Sequence, residues 1–399
     1  MNKMIHRNLD IENIIKKKSL FLLGPRQTGK TTYLKDIFSE AKIYSLLSSD
    51  VFLRLSKDPS LIRRELDAIR GKQPIVVIDE IQKLPILLDE VHYLIEEKKT
   101  KFILTGSSAR KLKRSGVNLL AGRASWINFN PFNFAELGKK FDLLRVLQYG
   151  TLPPVWLSDD PWSYLKDYVD LYLREEIMSE GLTRSLPSFS RFIEVAALCN
   201  GQIINYTKIA NDSQVSKTTT YEYFQVLKDT LIATEVPAFG ETKKRKAVAS
   251  SKFYFFDNGV VRFLQGRDNL TLNSSDFGDA FESYFFHELK SYSNNNNLSD
   301  VMYWRSVSGF EVDFILNKDI AIELKSTKRV NNADLKGLRA LKEEKLMKKY
   351  ILVSLDEKRQ KWDGIECIYY KDFLKELWSG EIMVKNPLMG KNPKTGVPK

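Results

Sequence analysis

Short apolar runs alternate with segments of helical periodicity in the first third of the chain. The helical segments include Thr31–Ser39 and Pro85–Lys98. Parallel strands are usually joined by helices, so this alternation predicts a parallel sheet covered by helices. The predicted strands are Ser19–Leu23, Ile75–Ile78, Lys101–Thr105 and Ser125–Phe129.

The pattern changes twice further along the chain. Aromatic and leucine residues at helical spacing dominate from about Asn133 to Leu186, and a helix–turn–helix pattern with a following strand occupies Asn200–Phe239. A long helix then precedes three more strands. These elements are helix Gly278–Tyr292 and strands Val301–Arg305, Glu311–Leu316 and Ile320–Lys325. The changes predict three domains, at 1–137, 138–270 and 271–385, and a disordered tail at 386–399.

Composition narrows the class of protein. The 399 residues carry a net charge of +12, which favours a polyanionic partner such as nucleic acid, although a generally lysine-rich composition explains it equally well. No apolar run approaches the roughly 20 residues that span a bilayer, and the first residues form no apolar signal core. Cys199 and Cys367 lie outside any CxxC pattern, so we expect a cytoplasmic protein without disulfides or zinc.

The segment Gly24–Thr31, GPRQTGKT, matches the P-loop pattern between a predicted strand and a predicted helix. Glycines let successive backbone N–H groups point at phosphate oxygens, and the helix N-terminus adds positive potential. We therefore expect ATP here, with Lys30 on the β- and γ-phosphates and Thr31 on Mg²⁺. The predicted nucleotide-binding residues are Gly24, Pro25, Arg26, Gln27, Thr28, Gly29, Lys30, Thr31 and Thr32.

A second apolar strand, PIVVI, ends in two acids. Asp79 is placed to hold the magnesium shell, and Glu80 to act as general base for the attacking water. One of the polar residues Thr105–Ser108, after the next strand, could contact the γ-phosphate or this water. Arg123, just before the last strand, could reach a phosphate of its own or of a neighbouring subunit's nucleotide, or could be an ordinary surface residue.

Four segments, GPRQTGKTT, IDEIQKLP, LTGSSARKL and LLAGRA, together resemble a prokaryotic family of AAA+-type ATPases. In that family the ATPase domain precedes a winged-helix segment and a nuclease-like C-terminal domain, and the resemblance covers nearly the whole chain. It implies Mg-ATP binding and homo-oligomerisation. Arg123 matches the arginine that follows the LLxG stretch of the family.

The helix–turn–helix pattern consists of a helix at Thr207–Asp212, a turn and a second helix at Ser216–Thr230. Lys217 and several polar residues stand near the start of the second helix, where a recognition helix meets a DNA groove. The basic run Lys243–Lys246, in the wing that follows, could track phosphates. The alternative is a winged helix that only packs against the neighbouring domains.

The C-terminal region concentrates acidic residues in predicted strands. Glu282 lies on a helix, Asp313 on a strand, and Glu323 and Lys325 share one face of the next strand because side chains alternate. Asp313 and Glu323 could share one or two magnesium ions, with Glu282 in the metal shell and Lys325 activating a water. This set resembles the PD-(D/E)xK nuclease-like fold, a mixed α/β domain of restriction-endonuclease type. The alternative is a salt-bridge network with a purely structural role.

The expected fold class is thus α/β, with an AAA+-like parallel sheet, a helical and winged-helix middle and a mixed C-terminal domain. Three functions are compatible with it. The first is an ATP-dependent, DNA-associated enzyme with a metal-dependent nuclease site. The second is a nucleotide-regulated switch or interaction protein whose C-terminal domain is inert and which binds protein partners. The third is a toxin or defence effector that acts on RNA.

Overall fold

The computed structural model describes residues 5–71, 73–108, 112, 120, 122–173, 185–272 and 274–383. The tail predicted at 386–399 lies outside these residues, as does most of the stretch between Ser108 and Gly122. No helix in the described part of the chain is both long and apolar enough to cross a membrane.

The first domain is built on a five-stranded, wholly parallel sheet. Its strands are β1 Ser19–Leu23, β2 Lys42–Ser45, β3 Val76–Asp79, β4 Phe102–Gly106 and β5 Ala124–Asn128, and their order is β2-β3-β4-β1-β5. The described helices of this domain are α1 Ile11–Lys17, α2 Lys30–Ile37, α3 Ser49–Lys57, α4 Leu61–Asp67 and α5 Leu87–Lys98. The predicted parallel sheet is confirmed.

Both faces of this sheet are covered. Phe21 and Leu23 of β1 belong to one hydrophobic core, whereas Leu20 and Leu22 belong to another. Side chains of a strand alternate between faces, so a strand whose every residue is buried must lie between two layers of helices. Strand β2 was not predicted because only Ile43 and Tyr44 are apolar in it, and it lies at the sheet edge.

The middle domain is mainly helical. The first described helices are α6 Phe134–Leu137, α7 Leu143–Tyr149, α8 Pro153–Leu157 and α9 Pro161–Asp167, and a π-helical turn follows at Tyr168–Leu173. The remaining elements are α10 Leu186–Leu198, α11 Tyr206–Ser213, α12 Lys217–Asp229, β6 Ala233–Val236, β7 Lys252–Phe255 and α13 Asn258–Leu264. Helices α11 and α12 agree with the predicted pair, and their N-cap side chains, Asn205 and Ser216, each accept a backbone N–H.

The C-terminal domain packs helices around a six-stranded mixed sheet. Its elements are α14 Phe277–Asn295, β8 Met302–Arg305, β9 Glu311–Leu316, β10 Ile320–Lys325, α15 Lys336–Lys342, β11 Lys349–Ser354, β12 Gln360–Trp362, β13 Ile365–Tyr369 and α16 Tyr370–Ser379. The strand order is β12-β13-β11-β10-β9-β8, in which β9 and β10 are antiparallel and β10 and β11 parallel. A mixed α/β domain was predicted and is confirmed.

Helix α14 contacts elements of all three domains, among them β5, α7, β7 and β9. Glu288 in its middle is fully buried and accepts the backbone N–H of Phe134 at 2.7 Å. The neighbouring His287 lies 2.9 Å from the carbonyl oxygen of Phe132. This helix therefore holds the C-terminal domain against the segment that follows β5.

Residues 237–251, which we call the wing loop, connect β6 to β7 and run along the edge strand β8. Phe239 donates its backbone N–H to Tyr303 O at 2.7 Å, and Val248 donates to Arg305 O at 2.9 Å. The loop thus extends the C-terminal sheet and holds β7 of the middle domain beside it.

Candidate nucleotide site and C-terminal carboxylate cluster

The P-loop curls between the end of β1 and the start of α2. A side chain at Gly24 would bring its Cβ to 2.2 Å from the carbonyl oxygen of Phe129, so only glycine fits there. Gly29, the cap residue immediately before α2, has a φ of +91°, which also favours glycine. Lys30 is buried, and its Nζ donates to Gly24 O at 2.7 Å and Pro25 O at 3.0 Å. The loop therefore has the curled form that presents backbone N–H groups to phosphate.

The remaining predicted ligands of the nucleotide follow this curl. Gln27 has a left-handed φ of +62°, and Thr28 Oγ1 donates to Pro25 O at 3.0 Å. Arg26 and Thr32 lie on either side of these residues, and whether they contact nucleotide stays a prediction.

Three strand and helix ends converge on Asp79. Thr31 Oγ1, in the first turn of α2, lies 3.2 Å from Asp79 Oδ2, and Thr105 Oγ1, on β4, lies 2.5 Å from Asp79 Oδ1. Asp79 itself is 2% exposed. A hydroxyl beside a carboxylate at the phosphate end of a P-loop is the oxygen donor set that Mg²⁺ prefers, so these residues fit the ion.

Glu80 follows Asp79 in a left-handed conformation, with a φ of +61°. For a residue other than glycine this conformation is uncommon, and it turns the carboxylate toward Gln82 and Ser107. Gln82 Nε2 donates to Glu80 Oε2 at 2.5 Å, and Ser107 Oγ lies 3.3 Å from the same oxygen. Sequence reasoning missed Gln82, although it lies two residues beyond Glu80.

Arg7 is a further residue that no sequence pattern marked. Its guanidinium donates to Thr28 O at 2.9 Å within the P-loop, forms an ion pair with Glu136 at 2.9 Å, and lies over the ring of Phe129. Arg7 is only 9% exposed. It therefore connects the segment before β1 to the P-loop.

Arg123 lies at the opposite end of the sheet from the P-loop. The neighbouring Ala124 pairs with Ser19 at the start of β1, whereas the P-loop follows the last residue of that strand. Four residues of strand span about 13 Å. The side chain of Arg123 forms an ion pair with Glu96 of α5. A contact with its own chain's nucleotide is incompatible with this position, and a contact with a neighbouring subunit's nucleotide stays a prediction.

The main chain of the basic run Lys243–Lys246 is held against the C-terminal domain, whereas the side chains of its three lysines are exposed. The backbone N–H groups of Lys243, Lys244 and Arg245 all donate to the Glu344 carboxylate at 2.8–2.9 Å. The Arg245 side chain also forms an ion pair with Glu343. The Arg245 side chain is thus held against the C-terminal domain, and a phosphate-tracking role for the run stays a prediction.

The carboxylate cluster, which we define as Glu282, Glu311, Asp313 and Glu323, lies where β7, α14, β9 and β10 meet. Ile322 of β10 is opposite Phe314 of β9, so the next residues toward the carboxyl end of β10 place Glu323 beside Asp313. Asp313 Oδ2 accepts the backbone N–H of Leu324 at 2.7 Å. The sequence prediction that these two acids are neighbours agrees with this register.

Two lysines are paired with the cluster. Lys325 Nζ is 2.6 Å from Glu323 Oε1, as the alternation along β10 predicts. Lys252, on β7 of the middle domain, is 2.7 Å from Glu311 Oε1 and 3.3 Å from Glu282 Oε1. Tyr254 also donates its hydroxyl to Glu282. Sequence reasoning missed Lys252 because it is distant along the chain and belongs to another domain.

Burial and mutual repulsion shift the titration of these groups. Burial, reinforced by the Glu282 carboxylate, raises the pKa of Asp313 above its ordinary value, and burial with Asp313 raises the pKa of Glu323. Burial alone would lower the pKa of Lys252, but Glu282, Asp313 and Glu311 outweigh it and raise the pKa. Lys252 is therefore charged in the folded protein.

Glu323 Oε2 is buried and has no hydrogen-bond partner in the described structure. Within the same part of the chain, no three histidine, cysteine, aspartate or glutamate side chains are grouped so that they could hold a metal ion. The three predicted ligands Glu282, Asp313 and Glu323 are thus brought into one region but not arranged as a metal site.

Comparison with known proteins identifies the class of the first domain. A family model described as an AAA domain matches residues 16–138. With the P-loop and the parallel sheet, this match supports an AAA+-type ATPase domain. Two domains of unknown function, DUF8612 and DUF4143, match residues 140–271 and 277–373.

An uncharacterized protein of Methanocaldococcus jannaschii is 24% identical over 392 residues, with 83% of this chain and 80% of that protein covered. Among solved structures, Aeropyrum pernix ORC1 in complex with DNA is 13% identical, with a TM-score of 0.29, and covers 67% of this chain and 94% of its own. Drosophila ORC bound to AT-rich DNA and Cdc6 is 10% identical, with a TM-score of 0.24, 64% of this chain and 87% of that chain being covered. These low scores carry no argument about function.

Proposed function

We propose that the protein is a cytoplasmic, magnesium-dependent ATPase whose nucleotide site is the P-loop of the first domain. The observation that carries the proposal is the convergence of Thr31 and Thr105 on the buried carboxylate of Asp79, with Glu80 held beside it. Lys30 would leave the carbonyl groups of the loop and donate to the β- and γ-phosphates. Magnesium, when bound by Thr31 and Asp79, supplies positive charge next to these phosphates.

Glu80 would accept a proton from the attacking water. Its main-chain N–H is held by Thr105 Oγ1 at 3.2 Å and its carboxylate by Gln82, so the side chain has a defined position relative to Asp79. A defined position is what a general base needs, because proton transfer requires hydrogen-bond distance.

The test is ATP binding and turnover by Lys30→Ala. We expect the variant to lose ATP binding, measured with a fluorescent ATP analogue. Lys35→Ala, which removes an exposed lysine from the same helix, is the matched control and keeps both binding and turnover. Unchanged ATP affinity in Lys30→Ala would overturn the assignment of the site.

A second proposal concerns the C-terminal domain: metal-dependent cleavage of phosphodiester bonds, with DNA favoured over RNA. It is supported by the register that places Asp313 next to Glu323 and by Lys325 on the same face of β10. Cleavage of a mixed DNA and RNA panel with Mg²⁺, lost in Asp313→Ala, would establish it. ATP turnover without any cleavage would favour the nucleotide-regulated switch, and cleavage of RNA alone would favour the toxin or defence effector.

We also propose that subunits associate and that Arg123 acts on a neighbouring subunit's nucleotide. Its position at the end of the sheet opposite its own P-loop supports this arrangement. Mixing Arg123→Ala with Lys30→Ala should restore part of the turnover that each variant lacks. Absence of any rescue would contradict action between subunits.

A further inference from the structure

Lys252 is the feature of the C-terminal site that no sequence pattern predicted. Its side chain is almost fully buried, and it reaches from β7 of the middle domain to two acids on different elements of the C-terminal domain. Glu282 belongs to α14 and Glu311 to β9. A single ammonium group therefore holds a strand, a helix and a second strand together across a domain boundary.

Lys252 occupies an oxygen of one predicted metal ligand, Glu282, and of the adjacent Glu311. Glu282 Oε1 accepts from both Lys252 and Tyr254, and Glu311 Oε1 accepts from Lys252. Mg²⁺ needs oxygen ligands at about 2.1 Å in near-octahedral geometry, so oxygens already bound to buried donors are not available to it. Lys252 also compensates the negative charge of these two carboxylates, which removes part of the electrostatic gain from metal binding.

One oxygen of the cluster has a different environment. Glu323 Oε2 is buried and without a partner among the described residues, although Glu323 Oε1 is paired with Lys325. An unsatisfied carboxylate oxygen in the interior is costly, and such groups in native structures commonly mark a missing ligand or a functional role. This observation shows that the cluster is not a fully satisfied salt-bridge network.

We infer that Lys252 is an internal counter-cation that excludes a divalent metal from the carboxylate cluster until β7 moves away from α14 and β9. The inference rests on the proposed metal-dependent site and adds its control by the middle domain. The wing loop supports it, because hydrogen bonds hold this loop, which leads into β7, against β8 and the turn after it: Tyr303 donates to Pro237 O at 3.1 Å, and Val307 donates to Lys246 O at 2.9 Å. A movement that releases the wing loop would also withdraw Lys252.

The acids of the cluster and the lysine proposed to block them therefore lie in different domains. The acids belong to the C-terminal domain, whereas the residue that blocks them belongs to β7, the second strand after the helix–turn–helix. A partner that binds α12 and shifts the strands behind it would therefore open the cluster to metal.

The experiment measures Mn²⁺ binding directly, by electron paramagnetic resonance of free Mn²⁺, with the full chain and without nucleotide. Every protein carries Asp79→Asn, so that the P-loop site does not contribute. We expect Lys252→Met to bind Mn²⁺ at least tenfold more tightly than the protein with Lys252, and the additional Asp313→Asn change to abolish that gain. Lys252→Arg keeps the positive charge and is the matched control that shows no gain.

Two negative results have different meanings. If Mn²⁺ binding depends on Asp313 but is equal with and without Lys252, the proposed metal site stands and the exclusion by Lys252 is wrong. If no protein binds Mn²⁺ through Asp313, the proposed metal site is wrong, and the inference with it. Circular dichroism checks folding, and Lys252→Gln, which keeps a hydrogen-bond donor without charge, replaces Lys252→Met if that variant does not fold.

Discussion

Two buried lysines distinguish the two candidate sites. Lys30, 6% exposed, donates to neutral backbone carbonyls of Gly24 and Pro25. Lys252, 3% exposed, is paired with the carboxylates of Glu282 and Glu311. Lys30 thus donates to main-chain carbonyls of its own loop, whereas Lys252 is paired with carboxylates of another domain.

This difference in partners determines which site can accept a ligand directly. A hydrogen bond to a neutral carbonyl contributes about 1 kcal/mol net, so exchanging the carbonyl partners of Lys30 for a phosphate, as the proposed nucleotide site requires, costs little. Separating a buried ammonium from its carboxylates costs several kcal/mol. The nucleotide site is therefore arranged to exchange partners, whereas the carboxylate cluster keeps its partners until the surrounding structure changes.

The largest expected effect comes from the base of the nucleotide site. Glu80→Gln should retain ATP binding and lower the turnover about 100- to 1000-fold, because the amide cannot accept the proton of the attacking water. Phosphate release and binding of a fluorescent ATP analogue are the measurements. Glu97→Gln, an exposed glutamate on α5, is the control. Turnover at the wild-type rate in Glu80→Gln would exclude Glu80 as the base.

The second prediction compares the two lysines by stability. Lys252→Met should lower the free energy of unfolding by about 2 kcal/mol, because it leaves two acids without their buried partner; their partial exposure to water limits the loss. Lys30→Met should lower it by less than about 1 kcal/mol. Denaturant unfolding of both variants measures the difference, and equal losses would contradict the comparison.

The two regions also differ in how much the sequence revealed. Residues from Gly24 to Thr31 are contiguous, and Asp79 follows a strand of clear apolar pattern, so local reasoning was enough to predict a candidate nucleotide site there. The contact of Thr105 with Asp79 follows from the strand order, in which β4 lies between β1 and β3. The order of strands in a sheet depends on tertiary packing and not on local pattern.

The C-terminal site was predicted only in part for the same reason. Spacing within β10 predicted that Glu323 and Lys325 share one face of the strand. Nothing local connects Lys252 with Glu311, which lies 59 residues further along the chain. For Arg123 the sequence left open whether it reaches its own chain's nucleotide, because proximity to a strand in sequence does not say at which end of the sheet a residue lies. Tertiary packing decides which residues meet across a domain boundary and at which end of a sheet a residue lies, so local sequence patterns did not predict them.

Helix α14 contacts β5 of the first domain and β9 of the C-terminal domain. The effect of its buried His287 on stability can be tested by changing the pH. Burial lowers the pKa of His287 to about 4, with the Phe132 carbonyl opposing and Arg7 adding to the shift. The unfolded chain therefore binds more protons between pH 6.5 and 4, and the stability contributed by neutral His287 is lost as pH falls through that range. On acidification from pH 7 to 5, the free energy of unfolding should fall less in His287→Gln than in the wild type. The difference should reach about 2 kcal/mol at pH 5.

Glu288 next to it should show the opposite dependence. Burial raises the pKa of Glu288 to about 7, despite hydrogen bonds from Tyr284, Trp378 and Phe134. Its contribution to stability is thus present below about pH 4.5 and lost as pH rises through 7. Unfolding midpoints measured from pH 5 to 8 should show the largest difference from the wild type near pH 5 for His287→Gln and near pH 8 for Glu288→Gln. Parallel curves for the two variants would contradict these assignments.

The smallest expected effect is on the affinity for DNA, and it distinguishes the roles of two exposed lysines of the middle domain. Lys217 opens α12, where Thr218 and Tyr221 are also exposed, whereas the main chain of Lys243 is held by Glu344. If α12 contacts DNA, Lys217→Ala should weaken binding about threefold and reduce the slope of log affinity against log salt by about 1. Lys243→Ala should change neither quantity, since the wing loop lies along the C-terminal sheet. Fluorescence anisotropy with a DNA duplex at several salt concentrations measures both, and a larger loss in Lys243→Ala would place the DNA contact on the wing loop instead of α12.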